Sequence, residues 1–147
     1  MPNPKAKKAP RAKPARRTPS EIAPGVFVGN WGDALRFEGT RFCVLDEAPP
    51  DMPPATHVPI YNEPADRADR GNLDRLAHAM RAARAKGIPV LVFCGHGKYR
   101  SPLGAAWYLH REEGIPLDEA YARVHAARPK SSPTLRWIGN LEELHAP

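Results

Sequence analysis

The sequence predicts an α/β layered domain, and three observations carry that prediction. Short runs at Val26–Val28, Arg41–Leu45, His57–Ile60 and Val90–Phe93 have the length and β-branched or aromatic content of strands. Apolar residues recur at helical spacing in other segments, best developed at Leu73, Leu76, Ala77, Met80 and Ala83. Strands alternate with helices at first and then give way to a helical carboxy-terminal half, the order of a sheet with helices layered on it.

The elements follow in chain order. Residues 1–20 hold seven basic side chains, five prolines and no acid, with no large apolar residue after Met1. Such a segment cannot bury enough surface to offset ordering, so the sequence predicts a disordered basic tail and a folded domain over residues 21–147. Gly25-Val-Phe-Val-Gly29 reads as a strand between glycines, and Asn30 as the cap of a short helix over Trp31–Phe37. Arg41–Leu45 reads as a buried strand. Pro59 makes His57–Ile60 an edge strand or a strand end. For the next helix Asn72 is the expected cap and Asp74 the first-turn acid, while Gly87 and Pro89 stop it. Val90–Phe93 is the central buried strand. Helices are expected from Ser101 to Glu113, Leu117 to Arg128 and Pro133 to His145.

Composition narrows the class. The chain has 147 residues, enough for one domain with a sizeable core, and 41% of them are hydrophobic, which fits a globular fold. Its net charge of +6 belongs to the tail, because the other 127 residues hold 15 basic and 16 acidic side chains. The tail is a candidate weak anchor for nucleic acid, anionic lipid or acidic proteins, or simply a solubilising extension. No apolar run approaches the roughly 18 residues of a membrane span. Two cysteines at unrelated spacing make neither a disulfide framework nor a metal site, so a reduced cytoplasmic setting and a monomer are the expectation. No cofactor is implied. His57, His78, His110, His125 and His145 lack ligand spacing, so no metal is expected either.

The chemistry lies in Cys94-Gly-His-Gly-Lys-Tyr-Arg100-Ser101, between the central strand and a helix. At a helix start the orphan backbone N–H groups, here those of Gly95, His96, Gly97, Lys98, Tyr99 and Arg100, converge on one point and suit a phosphate dianion. A free cysteine titrates near 8.5, but beside a cation at a helix start it can fall to roughly 3.5–7.5. Gly95 and Gly97 permit close backbone approach. Arg100 supplies a planar fork for two phosphoryl oxygens, which lysine does not. Ser101 is placed to donate a hydrogen bond to the sulfur. His96 and Lys98 fall on the rim, where they would tune substrate preference, and Tyr99 is expected to pack. The arrangement suits phosphoryl transfer to Cys94 and then to water. The spacing of a nucleotide-binding GxxxxGK[ST] loop is absent.

Cys94, Arg100 and Ser101 match the C-x5-R-[ST] motif of the cysteine-dependent protein phosphatases, and Gly97 matches the glycine of HCxxGxxR[ST]. The stretch Glu21–Asn30, Phe42–Leu45, His57–Ile60 and Arg128-Pro129 also resemble the small dual-specificity members, so the resemblance covers about residues 21–145. It implies a three-layer domain like that of the protein tyrosine phosphatases, with a central mixed sheet flanked by helices. It further implies a metal-independent phosphatase acting on phosphotyrosine, and on phosphoserine or phosphothreonine, in proteins. The same chemistry on phosphoinositides or RNA 5′-phosphates, or a catalytically weak phosphate-binding module, are the alternatives.

The sequence departs from the family pattern twice. Phe93 stands where the family has histidine before the cysteine. Asn62 stands where it has the aspartate that protonates the leaving oxygen, and an amide cannot donate that proton. Glu63, 31 residues before Cys94, and Asp66 are the candidate acids, Asp69 lies further along the same loop, and a site with no dedicated acid is the other option. Cys43 and the three tryptophans read as core.

Overall fold

The computed structural model describes residues 19–132 and 137–138. The basic tail through residue 18, and nearly all of the helix expected over Pro133–His145, lie outside these residues. Five strands form the main sheet: β1 (Ser20–Ala23), β2 (Val26–Gly29), β3 (Thr40–Cys43), β4 (Thr56–His57) and β7 (Val90–Phe93). Their order is β1-β2-β7-β3-β4, with β1 antiparallel to β2 and the other neighbours parallel. A two-stranded ribbon, β5 (Tyr61–Asn62) and β6 (Arg67–Ala68), stands apart. The helices are α1 (Trp31–Arg36), α2 (Arg70–Ala85), α3 (Arg100–Glu113) and α4 (Leu117–Ala127).

The central strand shows why the layers form. Strand side chains alternate between faces. Val90 and Val92 face the large core, where they meet Leu73, Leu76 and Met80 of α2 and Leu103, Ala106 and Trp107 of α3. Leu91 and Phe93 face the smaller core with Ala34 of α1 and Cys43. All four β7 side chains are fully buried, as expected of a parallel strand covered on both faces. Cys94 continues the Val90 and Val92 alternation.

Local signals account for the boundaries. Asn30 caps α1 in a reciprocal box with Asp33, each side chain accepting from the other's backbone N–H. Gly114, at φ 72°, ends α3 in the left-handed conformation that glycine adopts without strain. The cap of α2 is Asp69 rather than Asn72: Asp69 Oδ1 accepts from the Asn72 N–H at 3.0 Å, and Asn72 Nδ2 donates to the Pro59 carbonyl at 2.7 Å. Asp74 consequently lies beyond the first turn. It accepts from Trp107 Nε1 at 2.8 Å and pairs with Arg111 at 3.3 Å. β1 and the β5–β6 ribbon were not expected as separate strands. Each strand of the ribbon is two residues long, too short for any periodicity to register.

Candidate active site

The parallel strands fix where the site forms. In register, Gly29 of β2 and Cys43 of β3 both lie beside Phe93, so the segments following β2, β3 and β7 leave the sheet at one edge. Ligand sites of α/β sheets form at this carboxyl edge. It brings together the start of α1, the segment at Asp46 and the loop of residues 94–100.

Three external ties shape the loop. The Trp31 N–H donates to the Gly95 carbonyl at 3.2 Å, Arg128 Nε to the Gly97 carbonyl at 2.7 Å, and the Ser132 N–H to the Lys98 carbonyl at 2.8 Å. A trans peptide points its C=O and N–H in opposite directions. Holding those carbonyls outward therefore turns the N–H groups of His96, Lys98 and Tyr99 inward. The Gly97 N–H donates to Cys94 Sγ at 3.3 Å. Cys94 is buried, 4% exposed, at the floor of this turn.

Ser101 Oγ lies 3.3 Å from Cys94 Sγ and donates to the Gly29 carbonyl at 3.2 Å. A hydroxyl has one proton, so these two contacts compete for it. While the sulfur is a thiol it donates to Ser101 Oγ. Once it is a thiolate, rotation of the hydroxyl satisfies it. Ser101 thus serves both protonation states without moving its backbone.

Arg100 begins α3. Its Nη2 meets Asp46 Oδ2 at 3.4 Å, and its guanidinium carbon lies 5.2 Å from the Tyr61 ring centroid. Its Nε is buried with no hydrogen-bond partner among the described residues. Asp46, three residues beyond β3, was not singled out in the sequence. Its place at the carboxyl edge of a buried strand was the available signal.

Other expected residues separate. Tyr61, on β5, donates to Asp66 Oδ1 at 2.6 Å, which places the Asp66 carboxylate one ring away from Arg100. Glu63 is exposed and meets Asp66 through its backbone carbonyl. Asn62 Oδ1 accepts from the Ala65 N–H in the ribbon turn. Asp69 is the cap of α2. His96 and Lys98 are exposed. Tyr99, expected to pack, is instead 44% exposed, with Lys98 Nζ 5.2 Å from its ring centroid. Phe93 is accounted for by packing: fully buried, it lies 6.1 Å from Trp31 in the smaller core. Cys43 is core, and burial first of all pushes its thiol up, away from nucleophilic form at neutral pH.

Gly97 is the tightest point of the loop. It adopts φ +67°, and a Cβ there would lie 2.8 Å from the Gly29 carbonyl oxygen and 2.4 Å from Arg128 Nη2. Gly97→Ala is expected to cut kcat/KM on an aryl phosphate about a hundredfold, because ångström-scale misplacement of reacting groups costs that much. The same variant should melt several degrees lower, since the left-handed conformation costs an alanine about 1–2 kcal/mol. Paired kinetics and thermal melts check this, and unchanged kcat/KM would refute the loop geometry.

The chain matches no family model. Dual specificity phosphatase 28 of Mus musculus is 31% identical over 134 residues, spanning 84% of this chain and 82% of that protein. Dual specificity protein phosphatase 16 of Homo sapiens is 30% identical over 134 residues, 84% of this chain and 20% of that much longer protein. Among solved structures, a mouse putative dual specificity phosphatase complexed with zinc tungstate aligns with TM-score 0.72 at 31% identity, over 86% of this chain and 85% of its own. Human DUSP28 aligns with TM-score 0.73 at 28% identity, over 86% and 92%. Likeness of this extent, over more than four-fifths of the chain, places it in the dual-specificity phosphatase family and makes it a phosphatase.

Proposed function

We propose that this phosphatase hydrolyses phosphotyrosine, and phosphoserine or phosphothreonine, in proteins through a cysteinyl-phosphate on Cys94, with residues 21–147 as the catalytic unit. The observation that carries the reading is the buried, unpartnered Arg100 Nε beside amides turned inward over a buried sulfur. An unsatisfied buried donor is costly, and a phosphoryl oxygen would satisfy it. The tungstate of the mouse relative is a tetrahedral oxyanion of the same shape. A reducing compartment suits the two free thiols, Cys43 and Cys94.

In the first step the Cys94 thiolate attacks phosphorus. The S–P bond forms as the ester P–O bond breaks, and the leaving oxygen takes a proton from Asp66. In the second, water attacks phosphorus and gives its proton to the Asp66 carboxylate. The S–P bond then breaks, and the electron pair returns to a sulfur held by Ser101 and the Gly97 N–H. The three equatorial oxygens lie against the inward amides and the Arg100 fork throughout. Both carboxylates are exposed, but Asp66 is favoured over Glu63 because it is tied to Tyr61, whose ring lies against Arg100.

The test compares leaving groups. A phenol leaves without much help from an acid, whereas a serine alkoxide does not. Wild type should turn over phosphotyrosyl and phosphoseryl peptides with EDTA present. Asp66→Asn should lose about 10²-fold on the phosphoseryl peptide and less than about tenfold on p-nitrophenyl phosphate. Equal losses on both substrates, or a larger loss in Glu63→Gln, would remove Asp66 from the acid role.

A further inference from the structure

Arg128 takes no part in these steps, yet it is only 5% exposed at the end of α4. Besides the Gly97 carbonyl, its guanidinium reaches Ser20 Oγ at 3.1 Å and the Val28 carbonyl at 3.5 Å, through Nη1. One side chain therefore joins β1, β2 and the cysteine loop. Its partners are two carbonyls and a hydroxyl, with no carboxylate among them. A guanidinium buried against neutral acceptors leaves its positive charge uncompensated by contact. Burial lowers its pKa, while the charges of Asp33 and Cys94 act in the opposite sense. Asp33 is itself 2% exposed, with Oδ2 in the Asn30 cap and Oδ1 3.5 Å from Arg36 Nη2.

We propose that Arg128 is a positioning residue for Cys94: a buried cation that holds the Gly97 carbonyl outward and by its charge favours the thiolate over the thiol. Fixing that carbonyl turns the Lys98 N–H inward and sets the peptide next to the Gly97 N–H that donates to Sγ. The guanidinium engages the carbonyl side of the loop, whereas a phosphate would be held by the amide side, so its role is on the sulfur and not on phosphate binding. The groups around Cys94 are few. Arg100 with Asp46 closes the loop, Cys43 lies in the smaller core on the other face of the sheet, and the Asp33 carboxylate on α1 acts on the charge of Arg128. Of these, Arg128 is the cation that substrate does not engage. The inference rests on Cys94 being the nucleophile.

The test reads the thiolate directly, by the rate of Cys94 alkylation with iodoacetamide from pH 4 to 9, using Cys94→Ser as the background for Cys43. Arg128→Met should alkylate about tenfold more slowly at pH 6, the size of one pK unit, with its profile displaced to higher pH. Arg128→Lys keeps the charge and loses the fork. It should restore the alkylation profile while kcat on p-nitrophenyl phosphate stays below wild type, because the Gly97 carbonyl is held less well. If the methionine variant does not fold, the lysine variant decides, since a displaced profile with the charge retained overturns the proposal. An undisplaced profile in Arg128→Met also overturns it and leaves Arg128 a structural tie. Alkylation requires no turnover, so the two readings fail separately: an inactive wild type refutes the cysteinyl-phosphate mechanism and with it the positioning role, whereas an active wild type with an undisplaced Arg128→Met profile overturns the positioning role alone.

Discussion

Cys94→Ser is expected to abolish turnover, lowering kcat on p-nitrophenyl phosphate by at least about 10⁴-fold, while the protein folds and still binds tungstate. The donors around this position stabilise a thiolate: one N–H from Gly97, one shared hydroxyl from Ser101 and the cation of Arg128 on the carbonyl side of the loop. A free thiol ionises near 8.5. A serine hydroxyl ionises far above that, and among the described residues no group hydrogen-bonded to residue 94 can act as its base. Ser101 is occupied by the Gly29 carbonyl, and Gly97 offers only a donor. The oxyanion contacts, in contrast, come from amides whose carbonyls are tied to Trp31, Arg128 and Ser132, and none of those ties involves the sulfur. Binding and chemistry should therefore separate. Tungstate inhibition of wild type, tungstate binding to the variant by calorimetry, and turnover with and without EDTA measure both. Residual turnover within about a hundredfold of wild type would exclude a cysteinyl-phosphate. Loss of tungstate binding would mean that the serine disturbed the loop.

The reach of the sequence follows from which signals are local. The Cys94 loop, its strand and its helix were legible because a strand's apolar run, a helix start and a fixed spacing all fall within a dozen residues. The cap at Asn30 and the helix end at Glu113 are local in the same sense. Assignments that depend on contact between distant segments were not legible. Asp46 and Tyr61 meet Arg100 from 54 and 39 positions away, the first brought there by the register of β3 on β7 and the second by the separate β5–β6 ribbon. The cap of α2 was misplaced by three residues because Asp69 and Asn72 are both good caps. The tie from Asn72 to Pro59, which decides between them, is tertiary. Phe93 looked like a departure from a catalytic pattern, and it is also a core residue, since strand alternation turns it away from the sulfur and onto Trp31. Among the acids, distance along the chain favoured Glu63, whereas the turn at Asp66, with φ 51°, leaves the Asp66 carboxylate on Tyr61.

Arg100→Lys should lower kcat/KM by about 10²–10³-fold, with most of the loss in kcat. Lysine retains the positive charge, so long-range attraction of a phosphate dianion survives and KM should rise by less than about tenfold. What disappears is the fork. A guanidinium presents paired N–H groups in one plane, matched to two oxygens of a phosphoryl group as it flattens on transfer, whereas an ammonium is a strongly hydrated point charge. The match improves toward the transition state, and interactions of that kind appear in kcat. The surroundings of Arg100 favour a planar group as well. The Tyr61 ring 5.2 Å from its centre guides a flat cation, Asp46 takes Nη2, and the buried Nε is left as the donor that a phosphoryl oxygen would complete. A lysine here would reach Asp46 or the phosphate, but not both, and the carboxylate would hold the ammonium in the ground state. A loss carried wholly by KM would mean that Arg100 merely attracts substrate. A lysine variant within tenfold of wild type in kcat would mean that the fork is idle and the amides of residues 96–99 carry the transition state alone.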